Sequence, residues 1–133
     1  MKKLTFLALL FCAVHTAGAQ LASQYGDSDW EFVFENKLVK VYYIPANIKA
    51  RGPYLEVMTM SDRRDPDDSG ARSSLDIYVL SCRLGASRLA YMEDYSGHRL
   101  SGEMLSSAMN PDENLYPTPP AMLELQRTVC RPF

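Results

Sequence analysis

The chain has 133 residues, of which 47% are hydrophobic, and carries 14 basic and 16 acidic side chains, for a formal net charge of −2. A chain of this length fits one domain with a modest core. Acidic residues outnumber basic ones, and no run of lysine or arginine is interleaved with aromatic residues. The composition therefore argues against nucleic acid as a partner.

The N-terminal segment has the pattern of a secretory signal peptide. Two lysines precede an apolar run over residues 4–14, and small residues at 17–19 form a cleavage site. The apolar run is shorter than the roughly 20 residues that span a bilayer, and no later segment is long and apolar enough to do so. We therefore predict that residues 1–19 are removed and that residues 20–133 form a single soluble domain, periplasmic or secreted.

Cys12 offers an alternative, because bacterial lipoproteins carry a cysteine after a short apolar stretch that ends in small residues. The residue before it is the bulky Phe11, which occupies a position where a small side chain is needed. Anchoring as an outer-membrane lipoprotein is thus the less favoured alternative, and Cys12 is expected to leave with the signal peptide.

Two cysteines, Cys82 and Cys130, remain after the predicted cleavage. In an oxidising compartment they allow one intramolecular pairing. For the loop between positions 82 and 130, the chain-entropy description gives a stabilisation of about 4 kcal/mol. The alternative is a reactive thiol, which needs a basic neighbour such as Arg83 or Arg131 to lower its pKa. A structural disulfide is the favoured interpretation.

Alternation of apolar and polar residues predicts about six β-strands joined by short turns, which favours an antiparallel sheet. In the first strand, Trp30, Phe32 and Phe34 are expected to share one half-buried face. Gly85 and Ala86 are expected to form a tight hairpin turn. The predicted strands are residues 30–35, 38–44, 54–60, 74–84, 87–95 and 100–105.

The period changes to that of a helix near the C-terminus. Thr118 is a suitable N-cap, two prolines suit the first turn, and residues 121–130 place Leu125, Val129 and Cys130 on one apolar stripe. A helix of about ten residues is marginal alone, so it must dock. The sequence therefore predicts an α+β fold, an antiparallel sheet of about six strands with one C-terminal helix tethered across it by the Cys82–Cys130 disulfide.

A polar segment between the third and fourth predicted strands has the spacing of a calcium-binding loop. Positions 1, 3, 5, 6, 9 and 12 of an EF-hand-like loop are filled by Asp65, Asp67, Ser69, Gly70, Ser73 and Asp76. Arg72 at position 8, the short side chain at position 12 and flanks that read as strands argue against that interpretation. A solvated acidic loop is preferred, no metal or cofactor is predicted, and calcium binding is left open.

Candidate catalytic residues are few. His98 is the one histidine after the predicted cleavage, and no serine or cysteine spacing marks a nucleophile for it. Glu93 and Asp94 are adjacent in a predicted strand, so their side chains face opposite sides and cannot share an acid–base site. We predict that the protein is not an enzyme.

The ordered set of these motifs resembles the bacterial surface-adhesin protein E family. The residues that carry the resemblance are Tyr42, Tyr43, Ile44, Ile48, Cys82, Tyr91, Tyr95, Gly97 and Cys130. The resemblance implies an antiparallel sheet of about six strands with a C-terminal helix tethered across its face by a disulfide. It also implies an exported protein related to outer-membrane adhesins that bind host matrix and plasma proteins and pair into dimers. The poor lipoprotein signal and Pro45, at a position often acidic in relatives, favour a periplasmic or secreted protein over an anchored one.

Exposed aromatic and basic side chains are the favoured residues for a protein interface. The predicted partner-binding set is Tyr91, Tyr95, Arg83, Arg88 and Arg99, with cross-strand packing as the alternative for the tyrosines. The sequence thus predicts an exported, non-enzymatic binding protein with an unidentified protein partner, and a homodimer stays open. A periplasmic protein that binds a small ligand or inhibits an exported enzyme is the alternative.

Overall fold

The computed structural model describes residues 21–131, so the predicted signal peptide lies outside the described residues. Over this range the chain forms one antiparallel sheet of eight strands and one α-helix. The elements are β1 (Glu31–Glu35), β2 (Val39–Tyr43), β3 (Lys49–Arg51), β4 (Tyr54–Arg63), β5 (Ser73–Ser81), β6 (Ala86–Tyr95), β7 (Met104–Met109), β8 (Tyr116–Pro117) and α1 (Leu123–Val129). The predicted fold class is confirmed, with eight strands in place of about six.

The main path of the sheet runs in the order β1-β2-β4-β5-β6-β7, with β3 paired to β4 and β8 paired to β6. The two extra strands, of three and two residues, are too short to show an alternating pattern. The predicted strand at residues 100–105 is wrong. Arg99 and Leu100 have φ angles of 52° and 63°, which interrupt an extended chain, and β7 begins only at Met104.

The connection between β5 and β6 is also longer than predicted. Residues 82–85 form the turn, in place of the predicted Gly85 and Ala86. Gly85 has a φ of +60°, which a residue without a Cβ adopts readily, and its N–H donates to the carbonyl of Ser81 at 3.0 Å. This turn places Cys82 just beyond the end of β5.

One face of the sheet, hereafter the helix face, is covered at its centre by α1. Val57 of β4, Leu80 of β5 and Leu125 of α1 are each 0% exposed and form one core cluster, with Met122 and Val129 packed against it. Cys82 and Cys130 form a disulfide with a Cα–Cα distance of 5.5 Å. The predicted tether between sheet and helix is therefore present.

The helix is shorter than its sequence pattern indicates. It contains seven residues and follows a 3₁₀ turn at Pro120–Met122. The prediction that Thr118 caps it is wrong, because the N–H of Thr118 donates to the carbonyl of Gly85 at 3.1 Å and this residue is held against the β5–β6 turn instead. A helix this short is not stable by itself, so it is stabilised by the packing of Leu125 and by the disulfide.

The second face of the sheet has a separate core, made by Ile44, Met58 and Leu75. Leu21, Ala22 and other partly buried apolar residues before β1 pack against it, in an N-terminal segment for which no structure was predicted. This segment forms two 3₁₀ turns, Leu21–Gln24 and Asp27–Asp29. The central strands are therefore buried on both sides.

The predicted aromatic face of β1 is wrong, because the pairing of β1 with β2 shifts register between Phe32 and Phe34. Such a bulge redirects the side chains that follow it. Trp30 packs against the core of the second face, while Phe34 lines a groove on the helix face. Phe32 is 55% exposed and contacts Tyr42 edge to face, with ring centroids 5.9 Å apart.

Candidate binding sites

The two tyrosines predicted to bind a partner meet at a buried carboxylate on the second face. Glu93 is 0% exposed and accepts hydrogen bonds from Tyr91 Oη at 2.8 Å and Tyr95 Oη at 2.7 Å. It also accepts the backbone N–H of Leu21 at 2.9 Å. Burial, followed by the hydrogen bond to Glu93, raises the pKa of Tyr91 to about 12. The cluster fastens the N-terminal segment to the sheet.

These contacts bear on whether the two tyrosine rings can bind a partner. Tyr95 is 3% exposed, a position that does not suit a ring offered to a partner. Its burial was not evident from sequence, because its hydroxyl donates to the buried Glu93, a contact that strand alternation does not reveal. Tyr91 is half-buried and also borders the edge of the sheet at β7. Partner binding by Tyr91 stays a prediction.

The structure does not bring the three predicted arginines to one surface. Arg83 is exposed in the β5–β6 turn. Arg88 donates from Nη1 to the carbonyl of Asp112 at 3.3 Å. Arg99 lies in a basic cleft of about 450 Å³ lined by Lys37, Lys40, Arg63, Arg64 and His98, among others. Partner binding by these three side chains stays a prediction, at three separate positions.

The loop that carries Arg99 is held in a strained conformation by polar contacts. Asp62 Oδ1 accepts the backbone N–H of Arg99 at 3.1 Å and lies 2.9 Å from Nδ1 of His98. Ser73 Oγ accepts the N–H of Leu100 at 2.8 Å. The Arg99 guanidinium lies 4.7 Å from the centre of the Tyr42 ring. Two successive left-handed residues cost about 1 kcal/mol or more each, and these contacts offset that cost.

The edge of the sheet at β7 is open. Among residues 21–131, no strand pairs with the outer side of β7. Asn110 donates its N–H to Ala90 O at 3.0 Å. Because alternate residues of an antiparallel pair face each other, Ser107 and Met109 direct their N–H and C=O groups away from β6. The strand contains no charged residue and no proline, and Met109 is 74% exposed.

The opposite edge of the sheet, at β1, differs in each of these respects. Glu31 and Glu35 are exposed there, and Glu35 lies 3.7 Å from Nζ of Lys40. The register shift between Phe32 and Phe34 further interrupts pairing. Charges and bulges discourage the addition of another strand. The β1 edge is therefore protected, whereas the β7 edge is not.

A groove of about 500 Å³ lies on the part of the helix face that α1 leaves uncovered. We call it the acidic groove. Its apolar lining includes Phe34, Val41 and Met122, and three aspartates, Asp65, Asp67 and Asp76, also line it. The groove thus combines apolar walls with carboxyl groups.

Asp76 lies on the central strand β5 and is 8% exposed. Burial, and secondarily the nearby carboxylate of Asp94, raise the pKa of Asp76 to about 7, although Arg63 acts in the opposite direction. Asp94 itself accepts hydrogen bonds from Ser74 and Ser106. Asp76 is therefore the less well satisfied of two neighbouring buried acids.

We predict that Asp76 makes the stability of the protein depend on pH. Its folded pKa of about 7 lies above the unfolded value of about 3.9, so the folded state binds more protons between these values. Stability should fall as the pH rises from about 4 to 7 and stay level above that. The free energy of unfolding, measured by urea denaturation, should be higher at pH 5 than at pH 8. This difference should be about 2 kcal/mol larger for the wild type than for Asp76→Asn. Equal differences would contradict the assignment.

The calcium-like spacing does not produce a cage of ligands. Asp67 Oδ1 accepts hydrogen bonds from the N–H groups of Ser69 and Ala71, at 2.9 and 3.0 Å, within the loop itself. Ser73 and Asp76 both belong to β5, three residues apart, and so project to opposite faces of the sheet. In the part of the chain that the structure describes, no group of three His, Cys, Asp or Glu side chains is arranged to hold a metal ion.

Comparison with known proteins identifies the family. The sequence model described as surface-adhesin protein E matches residues 30–131. The chain belongs to the surface-adhesin protein E family. The resemblance read from the sequence is confirmed, and the match extends from just before β1 to the end of the described residues. No curated protein and no solved structure matches the chain.

As a member of the surface-adhesin protein E family, the chain is an adhesin-like protein, which supports a surface or secreted location. None of the helices within residues 21–131 has the length and apolar character needed to cross a membrane.

Two features of this surface-adhesin protein E family member were missed in the sequence. The open edge was missed because the last main strand was placed at residues 100–105, and strand order is not readable from alternation. Asp76 was noticed only as a position in a calcium-like loop. Its place between the apolar Leu75 and Ile77 in a buried strand was the available signal, because an acid in such a strand is rarely left without a role.

Proposed function

We propose that the chain is an exported, non-enzymatic binding protein that recognises another protein through the open edge of β7. Family membership gives an adhesin-like protein, and the proposal adds the surface through which it binds. The main observation in its support is the uncharged and unpaired edge of β7. An extended segment of a partner adds to such an edge through backbone hydrogen bonds, while adjacent side-chain pockets supply specificity.

The surface beside the β7 edge supports recognition of apolar side chains. Leu89, Tyr91, Met92, Ala108 and Met109 line a pocket of about 170 Å³ at the end of β7. Methionine and tyrosine are favoured at protein interfaces because they offer large and adaptable contact areas. Tyr91 thus contributes to the apolar surface beside the β7 edge, and its role in partner binding stays a prediction.

A non-enzymatic role is supported by the polar groups around the histidine and the cysteines. Nδ1 of His98 lies 2.9 Å from Oδ1 of Asp62, so this ring nitrogen faces a carboxylate. Cys82 and Cys130 are joined in the disulfide. These residues therefore do not form a nucleophile and base pair.

Substitution of Ser107 tests the proposal. Ser107→Pro removes a backbone N–H that faces away from β6, so the sheet itself should tolerate the change. Ser107→Ala removes the same hydroxyl but keeps the N–H, and is the matched control. We expect Ser107→Pro to weaken binding to immobilised matrix or plasma proteins at least tenfold and Ser107→Ala to change it less than twofold, as measured by biolayer interferometry.

Thermal denaturation must show that both variants are folded. A folded Ser107→Pro variant that binds as the wild type does would rule out strand addition at β7. The same pair of variants tests the predicted homodimer, which would become monomeric in size-exclusion chromatography with Ser107→Pro if a second copy occupied this edge. The dimer itself stays a prediction.

A periplasmic protein that binds a small ligand is the second candidate, and the acidic groove is the observation that favours it. Surface labelling of intact cells distinguishes the two functions. Labelling of the chain on intact cells supports the adhesin-like function, whereas labelling only after the outer membrane is opened supports the periplasmic one.

A further inference from the structure

Asp76 differs from the other buried acids in having no hydrogen-bond partner for its carboxyl group. Within residues 21–131 its backbone carbonyl accepts from Thr59 Oγ1 at 3.3 Å, but no donor contacts its side chain. Glu93 has three donors, and Asp94 has two. Within the described residues, the fully enclosed side-chain atoms without a hydrogen-bond partner are Thr118 Oγ1 and Gln126 Oε1. The Asp76 oxygens are therefore reached from the groove, where a donor group from outside the chain can bind them.

The position of Asp76 shows where that group would come from. Its side chain lines the acidic groove, which is open to solvent beside Ala121 and Met122. A groove of about 500 Å³ is in the range of sites that hold small molecules. Phe34 and Val41 line the same groove and give it apolar walls.

We propose that the acidic groove binds a small amphipathic cation, with an ammonium group against the Asp76 carboxylate and an apolar body against Phe34, Val41 and Met122.

The charges around the groove favour a cation over an anion. Asp65 and Asp67 line it together with Asp76, and Arg63 is the one basic residue in the lining. Arg63 is already engaged, because its Nη1 donates to Ser74 Oγ at 2.9 Å and its Nη2 lies 4.0 Å from Asp67 Oδ2. A carboxylate ligand would therefore meet repulsion from the aspartates without a free guanidinium to bind.

Protonation of Asp76 competes with the cation, so affinity should rise with pH through neutrality. The groups that face Asp76 are Asp94 from β6, Arg63 from β4 and Tyr78 from its own strand, with Asp65 and Asp67 in the adjoining loop. The residues contributed by the start of the C-terminal helical segment, Ala121 and Met122, are uncharged. The pKa of Asp76 itself lies near 7.

Three probes of similar shape test the proposal by chemical shift perturbation in ¹⁵N-labelled protein. They are the cation phenethylamine, the neutral 2-phenylethanol and the anion 3-phenylpropionate. A probe this small binds in roughly the millimolar range. We expect phenethylamine to shift the resonances of groove residues and to bind with at least tenfold higher affinity at pH 8 than at pH 5.5. At pH 8, the other two probes should bind at least tenfold more weakly than phenethylamine.

Asp76→Asn is the decisive variant, because it keeps the shape of the side chain and removes the charge. Asp68→Asn is the matched control, since it lies in the adjoining loop outside the groove lining and changes the net charge equally. We expect Asp76→Asn to abolish the preference for phenethylamine and Asp68→Asn to retain it. The proposal is overturned if the wild type does not bind phenethylamine, binds 2-phenylethanol as tightly, or loses the preference equally in both variants.

Discussion

Replacement of Cys130 by serine is expected to lower the free energy of unfolding by about 4 kcal/mol. The Cys82–Cys130 disulfide closes a loop with a sequence separation of 48 residues, and its loss increases the conformational freedom of the unfolded chain. Typical domains have a total stability of about 5–15 kcal/mol, so this is a large share. The seven-residue helix should then dock only through Leu125 and its neighbours.

Urea denaturation of the oxidised protein, followed by circular dichroism, measures this effect. A variant with Cys82→Ala and Cys130→Ala is the control, because its midpoint should not respond to dithiothreitol whereas that of the wild type should fall. An unchanged midpoint for Cys130→Ser under oxidising conditions would show that the disulfide does not hold the helix on the sheet.

Replacement of Glu93 by alanine is expected to cost about 3 kcal/mol of stability. The change leaves Tyr91 Oη, Tyr95 Oη and the N–H of Leu21 without their acceptor, at about 1–3 kcal/mol each. Part of this cost is offset, because the variant no longer buries a carboxylate and because water can enter the site and bind the three donors. Glu93→Gln keeps one carbonyl acceptor and should cost about 1 kcal/mol.

Amide hydrogen exchange gives the local readout for Glu93. In Glu93→Ala, the N-terminal segment from Leu21 to the start of β1 should lose protection more than α1 does, because the segment is fastened to the second face by this carboxylate. Equal loss of protection on both faces would indicate a general destabilisation and would contradict a specific fastening role.

The sheet could be predicted from sequence wherever burial is uniform along a strand. In β4, Val57 packs on the helix face and Met58 on the second face, and simple alternation describes both. Alternation failed at β1 because the register shift between Phe32 and Phe34 depends on the pairing with β2. It failed after β6 because the loop around Arg99 is held by Asp62, which is 37 positions away in sequence.

The disulfide was predictable because two cysteines in an oxidising compartment leave one pairing. The binding sites were harder to predict, since each depends on contacts between distant segments. The pattern around Tyr95 predicts a strand tyrosine free to bind a partner, but this ring is buried and its hydroxyl donates to the buried carboxylate of Glu93. The acidic groove lies beside the start of the short C-terminal helical segment, at Ala121 and Met122, and the helix length was overestimated from the apolar stripe.

The central claim is that a partner protein adds to the open edge of β7. Amide hydrogen exchange tests it most directly. Exchange is measured for the chain alone and for the chain bound to a matrix or plasma protein that binds the wild type in biolayer interferometry. We expect new protection at Ser107 and Met109, whose N–H groups face away from β6, and little change at β1. Protection confined to the basic cleft, the acidic groove or the β1 edge, with β7 unchanged, would contradict the claim.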